Sequence, residues 1–491
     1  MSNWSARTVT STARKVAAGS AWMFGAQIAA MVLQIGYAAV TARLVGPQAF
    51  GLYAAALAAS GFISVVANAG LGQSVMRTRD LPEGDVRKIN SLALGIGAIG
   101  ALVLYAGATL WSRVWIGDSG AVTATEWLAL SALVTPLLGV LMAVARRRNL
   151  FRVLALTQLG CNFIGMLIGV LFVIQYRTAS ALVANLVITQ YLMVFLLAAV
   201  IGKASLPASI NASVFHHLGF SGKVTVSNIL SYFQANSLKW SVSSSLGAST
   251  LGMWNRAEVV STVPFQALQN SLVQAIYPEF RHHPAGSTQA RELWSDLLVF
   301  LGWITFPVSV AAAFLVPFVV PVVLGDGWEQ VSDIIPFFCI AAGLQSVNTL
   351  LASALESAAK FRIIYSTQLI SVGAQIAIVV LVVSEKAETW ALAGLIAIPA
   401  LRHGAQLIWG HRRKLVDARA VAMGYASTLV VLLPLWWYDV IIGELMQSDG
   451  SEQALLGVAL VIETIALGAL LRFLYQKTPV FIIASRYGLR R

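Results

Sequence analysis

Charge is scarce in this chain: Asp, Glu, Lys and Arg make up 11% of its 491 residues, against about 25% in an ordinary soluble domain. A soluble protein of this length needs a charged skin that the sequence does not supply. Cysteine is scarcer still. Cys161 and Cys339 are the two present, both inside apolar stretches, which excludes a disulfide scaffold and argues against a cysteine metal site. No P-loop pattern occurs, so ATP hydrolysis by this chain is not expected. Strand-like alternation is missing too, which argues against a membrane β-barrel. What the chain has instead is hydrophobic residues, 58% of the total; a disordered chain would be poor in them.

Those residues fall into fourteen apolar runs, each near the roughly 20 residues a helix needs to cross about 30 Å of hydrocarbon. They include span 1 (16–41), span 2 (49–72), span 7 (224–246), span 8 (252–276), span 13 (421–442) and span 14 (454–475). The first is too long for a signal-peptide core. With the N-terminus placed inside, 25 of the 33 Lys and Arg fall in inner segments and 5 in or near outer ones. Such a bias orients helices. It predicts a multi-pass membrane protein with both termini in the cytoplasm. It also accounts for the formal charge of +12 as topology, and no nucleic-acid partner is expected.

The chain repeats itself. Gly46-Pro47-Gln48-Ala49-Phe50-Gly51-Leu52-Tyr53 aligns with Gly247-Ala248-Ser249-Thr250-Leu251-Gly252-Met253-Trp254 at an offset of 201. Ile116-Gly117-Asp118 resembles Leu324-Gly325-Asp326 at 208, and Phe151-Arg152 through Thr157-Gln158-Leu159 matches Phe361-Arg362 through Thr367-Gln368-Leu369 at 210. Apolar helices resemble one another by chance at Leu-on-Leu positions, but not at Gly-x4-Gly-x-aromatic and Phe-Arg-x4-Thr-Gln-Leu in the same order. The unit is six helices. An even unit enters from the same side twice, as in transporters built from parallel repeats. The expected fold is all-α integral membrane: an N-lobe (1–222), a C-lobe (223–420), a central cavity enclosed by these six-helix lobes, and two C-terminal helices with a cytoplasmic tail (421–491).

Polar side chains inside spans are costly unless they face protein or a watery cavity. Span 7 carries Asn228, Tyr232, Asn236, Lys239 and Ser243 on one helical stripe; span 8 carries Asn255, Glu258, Thr262, Gln266 and Gln269 on another. Span 1 has Ser20, Gln27, Gln34 and Thr41 at steps of seven, and span 2 has Tyr53, Ser60, Ser64 and Asn68. Such residues also glue helices together at about 1 kcal/mol each. Four stripes on repeat-related helix pairs favour a cavity lining. Lys239, about 10 Å from the outer helix end by the rise per residue, is deep for a snorkelling side chain and reads as a cavity cation. Arg256 is shallower and reads equally as an anion contact or an interfacial anchor. Arg43 reads as an anchor or as part of the cleft mouth. Glu258 is expected to pair with Lys239 or Arg256, with uptake of a coupling proton as the alternative. Glu463 in span 14 has no evident partner. No catalytic or metal-ligand spacing emerges, so neither an enzyme nor a metal site is expected.

Leu44 through Tyr53, Asn68-Ala69-Gly70-Leu71-Gly72-Gln73, Leu246 through Ala257 and Tyr277-Pro278 resemble the polysaccharide-transporter flippases. These are the Wzx-type oligosaccharide flippases of a superfamily that also holds multidrug exporters and lipid II flippases. Where many relatives carry an Asp in span 7 and an Arg before its end, this chain has Leu238 and Ser244, which makes Lys239 stand out. The resemblance implies alternating-access movement of an undecaprenyl-diphosphate-linked oligosaccharide between leaflets of a bacterial inner membrane, for exopolysaccharide, capsule or O-antigen synthesis. It implies no cofactor beyond a possible H+ or Na+ gradient. Membrane lipids, a polysaccharide polymerase and a chain-length regulator are the partners it implies. A cation-coupled multidrug exporter, which would need a deep acidic site, and a membrane-embedded glycan- or lipid-modifying enzyme are the competing readings.

Overall fold

The computed structural model describes residues 25, 28–68, 71–77, 81–209, 216–276 and 286–428. Among the described residues every regular element is helical. The order is α1 (Ile28–Leu44), then α2 (Pro47–Asn68), α3 (Leu71–Arg77), α4 (Glu83–Trp111), α5 (Ala121–Arg147), α6 (Phe151–Tyr176) and α7 (Ala179–Ile201). There follow α8 (His216–Leu246), α9 (Ala248–Ile276), α10 (Thr288–Leu324), α11 (Glu329–Ser357), α12 (Phe361–Glu385) and α13 (Glu388–Arg412). The chain is helical again over 418–428, where span 13 begins. The rest of span 13, span 14 with Glu463, and Gln27 lie outside the described residues.

Among the described residues nine helices, α2, α4–α7 and α10–α13, are long and apolar enough to cross a membrane. α8 and α9, of 31 and 29 residues, also have the length at 1.5 Å per residue. They fall short in hydropathy because they carry the polar stripes of spans 7 and 8. Large apolar side chains left exposed, such as Ile99, Leu102 and Leu110 on α4, Phe163, Leu167 and Leu171 on α6, and Leu315, Phe318 and Val322 on α10, are suited to hydrocarbon and not to water. The protein is an all-α integral membrane protein. Two differences between helix limits and apolar runs bear on the fold. α10 runs 37 residues, longer than the roughly 20 that crossing requires, because backbone hydrogen bonding does not stop at the hydrocarbon boundary. Span 2 ends as a helix at Asn68, and Leu71–Arg77 forms a separate short helix.

The chain divides into two compact units, one of residues up to Val259 with Val323–Gln330 and Val379–Glu388, the other of the remainder. In the first, small residues of α2 (Ala54, Ala55, Ala56, Ala59) pack with Leu128 and Ala132 of α5, Val183 of α7 and Leu251 of α9. Small side chains let helix backbones approach where lipid supplies no hydrophobic drive. A second core joins Leu71, Ile89, Leu141, Leu154 and Leu197 from α3 to α7. In the other unit, Trp294 and Leu298 of α10 pack with Leu351 of α11, Ile363 of α12, Leu407 of α13 and Val421. Cys161 and Cys339 are buried free thiols.

The repeat is written in the backbone. After α5, Asn149 N–H donates to Arg146 O and Leu150 N–H to Ala145 O, each at 2.9 Å; 210 residues on, after α11, Ala359 N–H donates to Glu356 O and Lys360 N–H to Leu355 O, again at 2.9 Å. Asn149 and Ala359 hold φ of 57° and 55°, the left-handed residue of a Schellman cap. Arg177 and Lys386, which follow α6 and α12, match likewise at 49° and 50°.

The first repeated motif marks a helix crossing within the first unit. A β-carbon on Gly51 would lie 1.6 Å from the Ala248 carbonyl oxygen, and one on Gly252 would lie 1.9 Å from that of Pro47. Gly51 and Gly252 are mates at offset 201, as are Pro47 and Ala248. The contact is thus reciprocal, as across a two-fold axis. Only glycine permits the backbones of α2 and α9 to meet this closely. Gly51→Ala should therefore lower the Tm of the detergent-purified protein, with overpacking costing about 1–3 kcal/mol. Gly46→Ala, where a β-carbon meets nothing within 4 Å, should leave it unchanged. Equal Tm values for the two variants would contradict the crossing.

Candidate substrate site

Lys239 on α8 and Glu258 on α9 form an ion pair, Nζ to Oε2 2.7 Å, with side chains 21% and 31% exposed. The two residues are brought together because α8 and α9 are consecutive and each polar stripe turns the same way. A lone charge at this position would be costly; pairing offsets that cost only while both partners are present. Lys239 also borders a void of about 10 Å³ lined by Ala54, Ala55, Ala58, Trp111, Trp240 and Ser243 among others. That is close to the least space one water needs. The Ser243 hydroxyl, also bordering it, is buried with no protein hydrogen-bond partner.

Beside this pair lies an aromatic cluster. Trp240 meets Trp111 at 6.0 Å, Phe233 at 5.2 Å and Tyr232 at 6.2 Å between ring centroids. Phe62 of α2 completes the group, 6.1 Å from Tyr232 and 5.7 Å from Phe233. The Tyr232 hydroxyl donates to the Ala58 carbonyl at 2.5 Å. That bond ties α8 to α2 and uses up the polar tip that made Tyr232 a cavity candidate. Asn236 is similarly engaged, its amide donating to Tyr232 O at 3.0 Å within its own helix.

Arg256 is buried, 6% exposed, two residues before Glu258 on α9. Its guanidinium carbon stands 4.1 Å from the Phe50 ring centroid, an arrangement in which the ring quadrupole attracts the cation. Nη2 donates to Asn255 Oδ1 at 2.7 Å, while Nε has no hydrogen-bond partner. Tyr53, Tyr37 and Glu258 are its electrostatic neighbours. Phe50 is held from its other side by Trp328, edge-on at 5.5 Å, and Trp328 Nε1 donates to Ala42 O at 3.0 Å. Arg256 is thus buried against the Phe50 ring.

The remaining sequence candidates are not gathered here. Arg43 is exposed and its aliphatic stem lies against Gly325. Gln34, Asn228 and Gln266 are exposed. The side chains of Asn68 and Gln269, like all of Gln27, lie outside the described residues. Thr41, on the stripe with Gln34, is fully buried and bonds back to Tyr37 O at 2.6 Å. Sequence reasoning missed Phe50, Trp328, Phe62, Phe233, Trp111 and Trp240, since a search for polar stripes passes over aromatics. It also missed buried polar contacts of the second unit, His403 Nε2 with the Tyr425 hydroxyl at 3.2 Å and Asn348 Nδ2 with Pro399 O at 2.9 Å.

The site is thus a charge pair across α8 and α9 and a buried guanidinium on α9, set in an all-helical membrane bundle. The structure of the lipid II flippase MurJ in an inward closed conformation shares the fold, with a TM-score of 0.69 at 11% identity over 94% of this chain and 98% of that one. An inward-facing multidrug resistance MATE family transporter of the MOP superfamily gives 0.55 at 14% identity, over 78% and 94%. The profile described as "Polysaccharide biosynthesis protein" matches residues 40–333, and the chain belongs to that family. The lipopolysaccharide biosynthesis protein WzxC of Escherichia coli (strain K12) is 23% identical over 359 residues, 70% of each chain.

The ion pair makes a distinctive prediction. Lys239→Met alone and Glu258→Gln alone should each lower Tm, because each strands a charge in a partly buried setting. The double variant should be more stable than the sum of the single losses predicts. Additive losses in this double-mutant cycle would show that the two groups do not interact.

Proposed function

We propose that the protein moves an undecaprenyl-diphosphate-linked oligosaccharide from the inner to the outer leaflet of a bacterial inner membrane. On this reading the two lobes, 1–222 and 223–420, enclose a polar cavity and open it to each side in turn. Family membership carries the proposal, and the chemistry of α8 and α9 agrees with it. Sugar and diphosphate cannot cross hydrocarbon unaided, because unpaired polar and charged groups are expensive there. Lys239 and Arg256 are cations suited to a diphosphate, while the lipid tail stays in the bilayer. Both termini face the cytoplasm in this scheme.

One observation separates this reading from a cation-coupled drug exporter. Such an exporter needs an acid free to take up its ion, and Glu258, the deep acid of the sequence, is held by Lys239 at 2.7 Å. Lys239 then has two partners to choose between, the carboxylate when the site is empty and the substrate phosphate when it is filled.

Deleting the gene should cause lipid-linked oligosaccharide to build up on the cytoplasmic leaflet, and Lys239→Ala at normal protein level should slow export by about an order of magnitude, since a hydrogen bond to a charged group is worth about 1.5–3 kcal/mol. Lys239→Arg should retain much of the activity. A deletion strain without that intermediate would overturn the proposal, and wild-type export in Lys239→Ala would remove Lys239 from the site.

A further inference from the structure

A second basic site lies far from Lys239 in sequence, at one end of α12 and α13. Lys360, Arg362, Ser366, Trp409, Arg412 and Arg413 line a cavity of about 530 Å³. It contains four cations and no acidic lining residue. Among the described residues, none of the four has a side-chain hydrogen bond or ion pair. All four are exposed.

The other copy of the repeat shows that this is not the fate of every basic loop. The matching turn after α5 carries Arg146, Arg147, Arg148 and Arg152, of which Arg152 is the offset-210 mate of Arg362. There Arg147 donates to Val75 O at 3.1 Å, and Arg148 donates to Ile201 O and to Glu83 Oε1, both at 3.0 Å. Arg147 and Arg148 are spent on holding helix ends together. In the second copy the same Schellman turn, Ala359-Lys360, leaves its cations available.

The level of the cavity in the bilayer follows from the helices that form it. α12 and α13 are membrane spans, and the cavity sits where α12 begins and α13 ends, so it lies at headgroup depth. Phe361 and Tyr365, stacked at 6.4 Å, are 48% and 54% exposed beside it, and Trp409 forms part of its wall. Aromatic side chains favour this interfacial layer. Basic pockets between membrane helices at that depth bind phosphate-bearing headgroups. An aqueous anion would have no need of an aromatic collar.

We propose that this cavity binds the phosphate of a membrane lipid, with Arg362 and Arg412 as its principal contacts. The inference requires only that α12 and α13 span the bilayer. Two lipids offer that chemistry: an anionic phospholipid and a polyprenyl diphosphate.

Native mass spectrometry of the full-length protein in neutral detergent can decide this. Phosphatidylglycerol is the first probe and farnesyl diphosphate the second. Wild type should retain phosphatidylglycerol, and Arg362→Gln/Arg412→Gln should bind it more weakly by on the order of twenty-fold, from the attraction of each cation near the surface. Arg146→Gln/Arg152→Gln removes the same charge from the matching loop and should behave as wild type. Should the double variant fail to fold, the single change Lys360→Gln in the turn should still weaken retention about fivefold. Displacement of phosphatidylglycerol by farnesyl diphosphate would assign the site to the diphosphate carrier; its persistence would assign it to bilayer phospholipid. Equal retention of both probes by wild type, the pocket variants and the loop control would overturn the proposal.

Discussion

Hydrocarbon cannot hydrogen-bond, and almost everything in this protein follows from that. Each polar group in a span must meet another polar group or a wet cavity. α8 and α9 concentrate the problem, with a lysine, an arginine and a glutamate along two helices. The solution seen here is local. Lys239 and Glu258 neutralise one another at 2.7 Å, Arg256 rests on the face of Phe50, and the hydroxyl of Tyr232 finds a backbone carbonyl on α2.

The glycine crossing explains how those groups are held in register. Backbone contact between α2 and α9 at Gly51 and Gly252 leaves no room for adjustment, so the polar faces that follow on α9 are fixed relative to α2. The contact is reciprocal between repeat mates, Gly51 against Ala248 and Gly252 against Pro47. The matching caps at Asn149 and Ala359 mark the same repeat. Arg147 and Arg148 are absorbed into packing after α5, while the cations near Lys360 stay exposed.

The helical membrane architecture was legible in the sequence because composition and run length speak directly to the solvent. The Lys239–Glu258 pairing was legible too, since both stripes have helical spacing and the helices are consecutive. Arg256 was harder. Its position one turn into span 8 suggested either an anchor or an anion contact, and only the packing of Phe50 and Trp328 around it decides for burial. The cluster of Phe62, Trp111, Phe233 and Trp240 was invisible, because an aromatic in an apolar run looks the same whether it faces lipid or a neighbour. Tyr232 and Asn236 kept their places on the stripe but spend their polar atoms on backbone carbonyls, a choice that spacing does not record. The Gly-x4-Gly-x-aromatic repeat was read as evidence of duplication; that it is also the contact point required three dimensions.

The central claim is that this chain carries a lipid-linked glycan across a bilayer. Proteoliposomes containing the purified full-length protein and a fluorescent undecaprenyl-diphosphate oligosaccharide test it most directly, with a membrane-impermeant glycosidase added outside. The account predicts that protein-containing vesicles expose the inner-leaflet pool to the enzyme, whereas protein-free vesicles protect it. Protection equal in both, with the protein shown to be folded and inserted, would contradict it.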